Sequence, residues 1–172
     1  MEAHVTARGT ILFVCSGNTC RSPLAAALAA ARWEGRPPCA SAGLDAVPGC
    51  PATAESCDQA RDRGLDLSRH RSRPLDAALL LGADWVLLMT PDQLARFRAR
   101  FPGHAGRVGL LGLPGVDLAS SVDTAAGVDA GAAETVDDPY RAGTTTAYAR
   151  MADQVERLVA AWTAELRGRN AP

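Results

Sequence analysis

The chain is expected to adopt an α/β fold, an open four-stranded parallel sheet with helices on both faces. Three observations predict this. Short apolar runs alternate with stretches of helical period. Each apolar run ends at a turn signal, as strands buried on both faces do. The length, 172 residues, suits one domain with one core. Residues 1–172 are therefore read as a single domain, its core spanning about 10–167.

The elements follow in order. Residues 1–9 carry no pattern. Thr10–Cys15 (TILFVC) is apolar and rich in β-branched residues, which suits a first strand. Ser22 and Pro23 resemble an N-cap followed by proline at the first helical position, and Leu24–Trp33, mostly Ala and Leu, is a helix. Pro37-Pro38 breaks the chain before a second short strand at Cys39–Gly43. Thr53–Arg63 reads as a helix with Gly64 just past its end. The polar connection Asp66–Arg73 leads to a short helix, Pro74–Leu81, stopped by Gly82, and then to a third strand, Trp85–Met89. Thr90-Pro91 is a cap-plus-proline start for a helix running to about Phe101. Val108–Leu111 is the fourth strand, and 112–135 is a long irregular loop. From about Thr146 to Arg167 the spacing of Tyr148, Met151, Val155, Leu158, Val159, Trp162 and Leu166 predicts a long amphipathic helix.

Composition narrows the function classes. With 47% hydrophobic and 22% charged residues the chain is neither disordered nor a disulfide-packed miniprotein. A net charge of −1 gives no general attraction to nucleic acid or anionic lipid. No apolar run approaches the roughly 20 residues needed to span a bilayer, and no secretory signal precedes the first strand. A cytoplasmic location is expected, with neither nucleic acid nor membrane as partner. All 18 cationic residues are arginine, which GC-rich coding explains without reference to mechanism. Five cysteines, at 15, 20, 39, 50 and 57, suit a reducing compartment better than a disulfide framework.

The chemistry concentrates in the loop Cys15-Ser16-Gly17-Asn18-Thr19-Cys20-Arg21-Ser22, between the first strand and first helix. In parallel sheets ligands sit beyond the carboxyl ends of the strands, where strand order reverses, and this loop has that position. Successive backbone N–H groups curling around one point make an anion nest, and a helix N-terminus adds positive potential. Arg21 supplies a planar fork for two phosphate oxygens. The field that holds an anion also favours Cys15 as thiolate, the nucleophilic form. Gly17 permits the close approach of a tight loop. The nucleotide-binding Gly-Lys-Ser/Thr ending is missing. A purely structural role for Cys15 and Cys20 as small buried hydrophobes leaves the arginine and the Ser-Pro helix start unexplained.

The run VCSGNTCRSP resembles the signature loop of the low-molecular-weight protein tyrosine phosphatase family: Cys, five residues, Arg, then Ser-Pro. The similarity continues through Ser41-Ala-Gly43, His70-Arg-Ser-Arg73, Trp85–Met89 and Asp138-Pro139-Tyr140, in the family's order. It implies the family's three-layer sandwich and a cysteinyl-phosphate mechanism with no cofactor or metal. Cys15 would attack phosphorus, Arg21 would bind the equatorial oxygens, and Asp138 would act as acid and then base. Ser22 would hydrogen-bond the thiolate. Ser16, Gly17, Asn18, Thr19 and Cys20 complete the phosphate-binding loop, and Tyr140 matches the aromatic residue flanking the entrance. Asn18, Ser41 and His70 match the residues that hold the loop in shape. Asp137 is the neighbour set aside as the acid.

The substrate is left open. Thr19 stands where tyrosine-directed members carry a bulkier aliphatic residue, and phosphoarginine-directed members resemble this sequence there. Leu44–Gly49 lacks an aromatic side chain, and Tyr140 is followed by Arg141. Asp45 could meet a cationic substrate or be a solvated loop charge, whereas Arg141 favours extra negative charge. The expected partner is a phosphorylated protein bearing phosphotyrosine or phosphoarginine, with a small phosphorylated metabolite such as a sugar or nucleoside phosphate as the alternative; the oligomeric state is open. A thiol-dependent arsenate reductase needs a cysteine relay, and no cysteine lies beyond 57. A zinc module lacks a second Cys pair. Cys20 is near enough in sequence to pair with Cys15 on oxidation. His4 and His104 are expected at the surface.

Overall fold

Period-two alternation divides the first strand, β1 (Thr10–Cys15), between two cores. Ile11, Phe13 and Cys15 enter one hydrophobic cluster, Leu12 and Val14 the other, and all are buried. A strand covered on both faces has no polar side to present, which explains the unbroken apolar run. The structure, a computed structural model, describes residues 9–119 and 133–168.

The remaining elements are α1 (Arg21–Arg32), β2 (Cys39–Gly43), α2 (Ala54–Arg61), α3 (Ala77–Gly82), β3 (Ala83–Leu88), α4 (Pro91–Arg100), β4 (Arg107–Leu110), α5 (Pro139–Ala142) and α6 (Thr145–Gly168). The four strands form one sheet in the order β2-β1-β3-β4, with every pairing parallel. The chain leaves β1 for β2 on one side and then crosses to β3 on the other. Strand order therefore reverses between β1 and β3, and the Cys15 loop opens at that crevice.

Helices cover both faces, as expected. Leu24, Leu28 and Ala29 of α1 pack with Met151, Val155 and Trp162 of α6 over one face. Leu79 and Leu80 of α3 and Leu94 and Phe97 of α4 cover the other. Trp162 meets Trp85 edge to face at 4.9 Å, and its Nε1 donates to the Leu111 carbonyl at 3.0 Å, tying α6 to the end of β4. Among the described residues no helix is long and apolar enough to cross a membrane.

Several expectations need correction. The first helix begins at Arg21, not Pro23, so Ser22 lies inside its first turn and Cys20, not Ser22, occupies the N-cap position, without a side-chain cap. Pro74 is not helical. It bridges to Gly43, and α3 starts only after Asp76, whose carboxylate accepts from the Leu79 N–H at 2.9 Å. Thr90-Pro91 does start α4 as expected, with Thr90 Oγ1 accepting from the Gln93 N–H at 3.1 Å. The short α5 was not expected. Pro139 occupies its start and Asp138 caps it, so the Asp-Pro pair that reads as a turn also opens a helical turn. His104 is not a surface residue: it is half-buried, edge-on to Phe97 at 5.5 Å. His4 and residues 120–132 of the long loop lie outside the described residues.

Candidate active site

Asn18 has a left-handed backbone, with φ +55. That conformation is unfavourable for a residue with a Cβ, though less so for asparagine than for most. It turns the Asn18 N–H back toward Cys15, where it donates to Sγ at 3.3 Å. The side chain is wholly buried and fully used. Nδ2 donates to Ser22 Oγ and to Ser41 Oγ, both at 2.9 Å, and Oδ1 accepts from the Arg73 N–H at 3.0 Å. The Asn18 carbonyl accepts from His70 Nε2 at 2.7 Å. Burial lowers the His70 pKa below its ordinary value, outweighing the opposite pull of the Asn18 carbonyl, and Arg73 and Arg71 push the same way as burial. His70 therefore serves as a neutral Nε2–H donor.

Cys15 is buried, and its Sγ lies 3.0 Å from Ser22 Oγ. Ser22 has one proton and two calls upon it: the Ala42 carbonyl at 3.3 Å and the Cys15 sulfur at 3.0 Å. Because Asn18 Nδ2 already donates to Ser22, the hydroxyl can turn its proton toward a thiolate when one forms. The amino end of α1 has no capping side chain and no acidic residue in its first turn. A 12-residue helix thus points its positive end at the loop without internal neutralisation.

Arg21 brings the distant part of the chain in. It is buried, donating from Nη1 to the Val136 carbonyl at 3.2 Å and from Nη2 to Asp138 Oδ2 at 2.9 Å. The other Asp138 oxygen accepts from the Tyr140 N–H at 3.2 Å. The two partners are 117 positions apart, yet the ion pair places a carboxylate beside the anion nest. Asp137 is exposed, and its backbone N–H donates to Gln154 Oε1 of α6 at 3.4 Å.

Other anticipated residues separate into groups. Ser41 is buried against Asn18. Thr19 is half-buried and its Oγ1 lies 3.7 Å from Cys20 Sγ. Cys20 also meets Thr53 Oγ1 and Tyr148 Oη, each at 3.6 Å, which ties the loop to α2 and α6. Tyr140 and Arg141 are exposed on α5. Asp45 pairs with Arg96 at 2.5 Å on the surface. All five cysteines are free. Burial pushes Cys39 up to about 12 and Cys57 upward as well, which disfavours either as a ready thiolate. Among the described residues no three His, Cys, Asp or Glu side chains gather as a metal site would require.

Three contributors have no role assigned from the sequence, although Gly43 and Arg73 stand in the motifs that carry the resemblance. A Cβ on Gly43 would lie 2.5 Å from the Ser16 carbonyl oxygen and 2.9 Å from Ala46 Cβ, so only glycine lets the end of β2 approach the loop. Arg73 Nε donates to the Ser41 carbonyl at 2.9 Å while its backbone holds Asn18. Gln93 is buried and reaches Ser16. Only Gly43 had a local signal, the small-residue end of a strand facing a loop.

A cysteine opening a loop at a helix amino end, with a buried arginine and a paired carboxylate, agrees with the comparisons to known proteins. The family model for low molecular weight phosphotyrosine protein phosphatase matches residues 10–171. The chain belongs to this family. The phosphatase is 33% identical over 159 residues to the probable low molecular weight protein-tyrosine-phosphatase EpsP of Ralstonia nicotianae, covering 92% of this chain and 96% of that protein. It is 38% identical over 101 residues to the protein-arginine-phosphatase of Bacillus subtilis, covering 57% of this chain and 67% of that protein. Among solved structures, the YwlE arginine phosphatase from Geobacillus stearothermophilus aligns with a TM-score of 0.74 at 29% identity, covering 94% of each chain. The phosphatase is a cysteine-dependent hydrolase, as the signature loop implied.

Two outcomes test how the loop is held. Asn18→Ala removes three buried side-chain hydrogen bonds and should cost about 2–4 kcal/mol in denaturant unfolding. Asn18→Gly loses the same bonds but tolerates the backbone, so it should be less damaging than Ala by about 1 kcal/mol. Equal losses would remove backbone strain from the account. Because the folded pKa values of His70 and His104 are both lowered by burial, the unfolded chain binds more protons below about 6.5. Stability should therefore fall as pH drops through 6.5 toward the folded values. His70→Gln should show a smaller fall in thermal melts, the remainder coming from His104.

Proposed function

We propose that the phosphatase hydrolyses phosphotyrosine or phosphoarginine in proteins through a cysteinyl-phosphate intermediate. The observation that carries this reading is the 2.9 Å contact between Arg21 and Asp138, which sets a carboxylate beside the loop of Cys15. The incoming phosphoryl group takes its place in the nest and draws the Arg21 guanidinium onto two equatorial oxygens, releasing Asp138 Oδ2, which takes up a proton from water. The Cys15 thiolate forms a P–S bond as the P–O or P–N bond to the leaving group breaks. The departing atom keeps that electron pair and takes the Asp138 proton. Water then attacks phosphorus and gives its proton to Asp138, and the P–S electron pair returns to Cys15 while Ser22 donates to the thiolate. Inorganic phosphate leaves. Asn18, Ser41 and His70 hold the loop, and Ser16, Gly17, Thr19 and Cys20 complete its wall.

Thr19 supports phosphoarginine. A Cβ on Gly17 would meet Thr19 Oγ1 at 3.5 Å, so the hydroxyl lies close over the loop backbone, available to a guanidinium N–H. Arginine phosphatases and tyrosine phosphatases both stand among the relatives. Arg141, exposed beside Tyr140, favours the second reading, a small phosphorylated metabolite with additional negative charge. Free thiols suit a reducing cytoplasm as the place of action.

The test is a panel of phosphotyrosine, phosphoarginine and phosphoserine peptides with several sugar and nucleoside phosphates. Cys15→Ser should abolish turnover. Asp138→Ala should lower kcat about 10²–10⁴-fold on poor leaving groups, and Arg21→Lys about 10²–10³-fold. Thr19→Ile should shift the activity ratio from phosphoarginine toward phosphotyrosine peptide. Turnover surviving in Cys15→Ser would overturn the mechanism, and an unmoved ratio would remove Thr19 from substrate choice. Preference for a metabolite over both peptides would establish the second reading.

A further inference from the structure

Gln93 sits where strand order reverses, in the first turn of α4 and buried between the carboxyl ends of β1 and β3. The family role of the loop does not account for it. Its Oε1 accepts from the Met89 N–H at 3.0 Å, just past β3. A backbone N–H can only donate, so the amide oxygen must face Met89 and the amide nitrogen must face the loop. That nitrogen donates to Ser16 Oγ at 3.2 Å. The Ser16 carbonyl is already held by the Asp45 N–H at 2.9 Å. Ser16, the residue following the nucleophile, is thus clamped from both sides of β1.

The direction of the Gln93 bond has a consequence for the hydroxyl. Ser16 Oγ receives a hydrogen from Gln93, so its own proton remains to be donated. Ser16 is half-buried on the anion-binding loop, and no acceptor for that proton occurs among the described residues. We infer that Gln93 is a positioning residue for the phosphatase reaction: its amide fixes Ser16 and keeps the Ser16 hydroxyl as a donor toward the bound phosphorylated substrate. This rests on the reading of Cys15 as nucleophile. A carboxylate in place of the amide would keep the Met89 bond and reverse the bond to Ser16, because it can only accept. Ser16 would then spend its proton on residue 93.

The experiment is a double-mutant cycle of Q93E and S16A, read by KM, kcat, the inhibition constant of inorganic phosphate and a thermal melt. Loss of one neutral hydrogen-bond donor corresponds to up to about tenfold in affinity. Each single variant should raise KM and the phosphate inhibition constant by about that factor, with kcat changed less. In the S16A background Q93E should add no more than about twofold, because the hydroxyl it misdirects is gone. The charge introduced by Q93E persists in that background, so effects that multiply would overturn the inference and assign the loss to charge. Single variants within twofold of wild type would overturn it too. Should Q93E fail to fold, Q93M keeps the volume, touches neither partner and completes the same cycle. Trapping of phosphocysteine in rapidly quenched wild-type enzyme separates the two failures. With no phosphocysteine the reading of the site fails; with phosphocysteine and multiplicative variants, only the role of Gln93 fails.

Discussion

A buried asparagine held in a left-handed turn is the constraint on which the catalytic loop depends. Asn18 has to adopt φ +55 for its N–H to turn inward to Cys15, and that backbone conformation costs about 1–3 kcal/mol and persists only where its surroundings enforce it. They do so from three separate segments. Ser22 comes from α1, Ser41 from β2, and Arg73 with His70 from the connection before α3. Each contact is buried or half-buried, where losing a partner leaves an unsatisfied polar group. The loop is therefore preformed, and its hydrogen-bond donors require little reorganisation when charge develops on a transferring phosphoryl group.

The sheet supplies the rigid frame for this loop. Cys15 is the last residue of β1 and belongs to the core cluster under α1 and α6, so its thiol stands on an element covered from both sides. Gly43 allows β2 to approach the loop backbone, and Gln93 closes the gap from β3. Tyr148 reaches Cys20 from α6, and burial pushes its phenol up to about 12, so it stays a neutral partner. Only Asp138 arrives from outside the frame. Asp138 stands on a short helical turn, more exposed than Arg21, at 35% against 5% for the two side chains. The arginine side of the site is thus fixed in the core, and the carboxylate stands at its edge.

How much of this could be read in the sequence depended on range. Contacts confined to one segment were legible: the apolar run of β1, the Thr90-Pro91 start of α4, and the heptad-like spacing of α6 each follow from local rules. Ser22-Pro23 looked like a cap by the same rules, but Ser22 is engaged by Asn18 and Cys15, and the helix starts a residue before it. Asn18, Ser41 and His70 were recognisable only through the family resemblance, since nothing local distinguishes a loop histidine that meets a carbonyl 52 positions away. Gln93 reads in isolation as an ordinary polar residue of a helix first turn. Its significance comes from the β1–β3 adjacency, which is a property of topology. His104 was misplaced because its Phe97 contact is tertiary.

A crystal structure of the wild-type enzyme soaked with vanadate tests most directly whether this loop is a preformed phosphoryl site. The expected result is vanadium bonded to Cys15 Sγ, Arg21 moved from Asp138 to the equatorial oxygens, and the Asn18 backbone still left-handed. Vanadium bound elsewhere, or a loop whose Asn18 has changed conformation to admit it, would contradict the account.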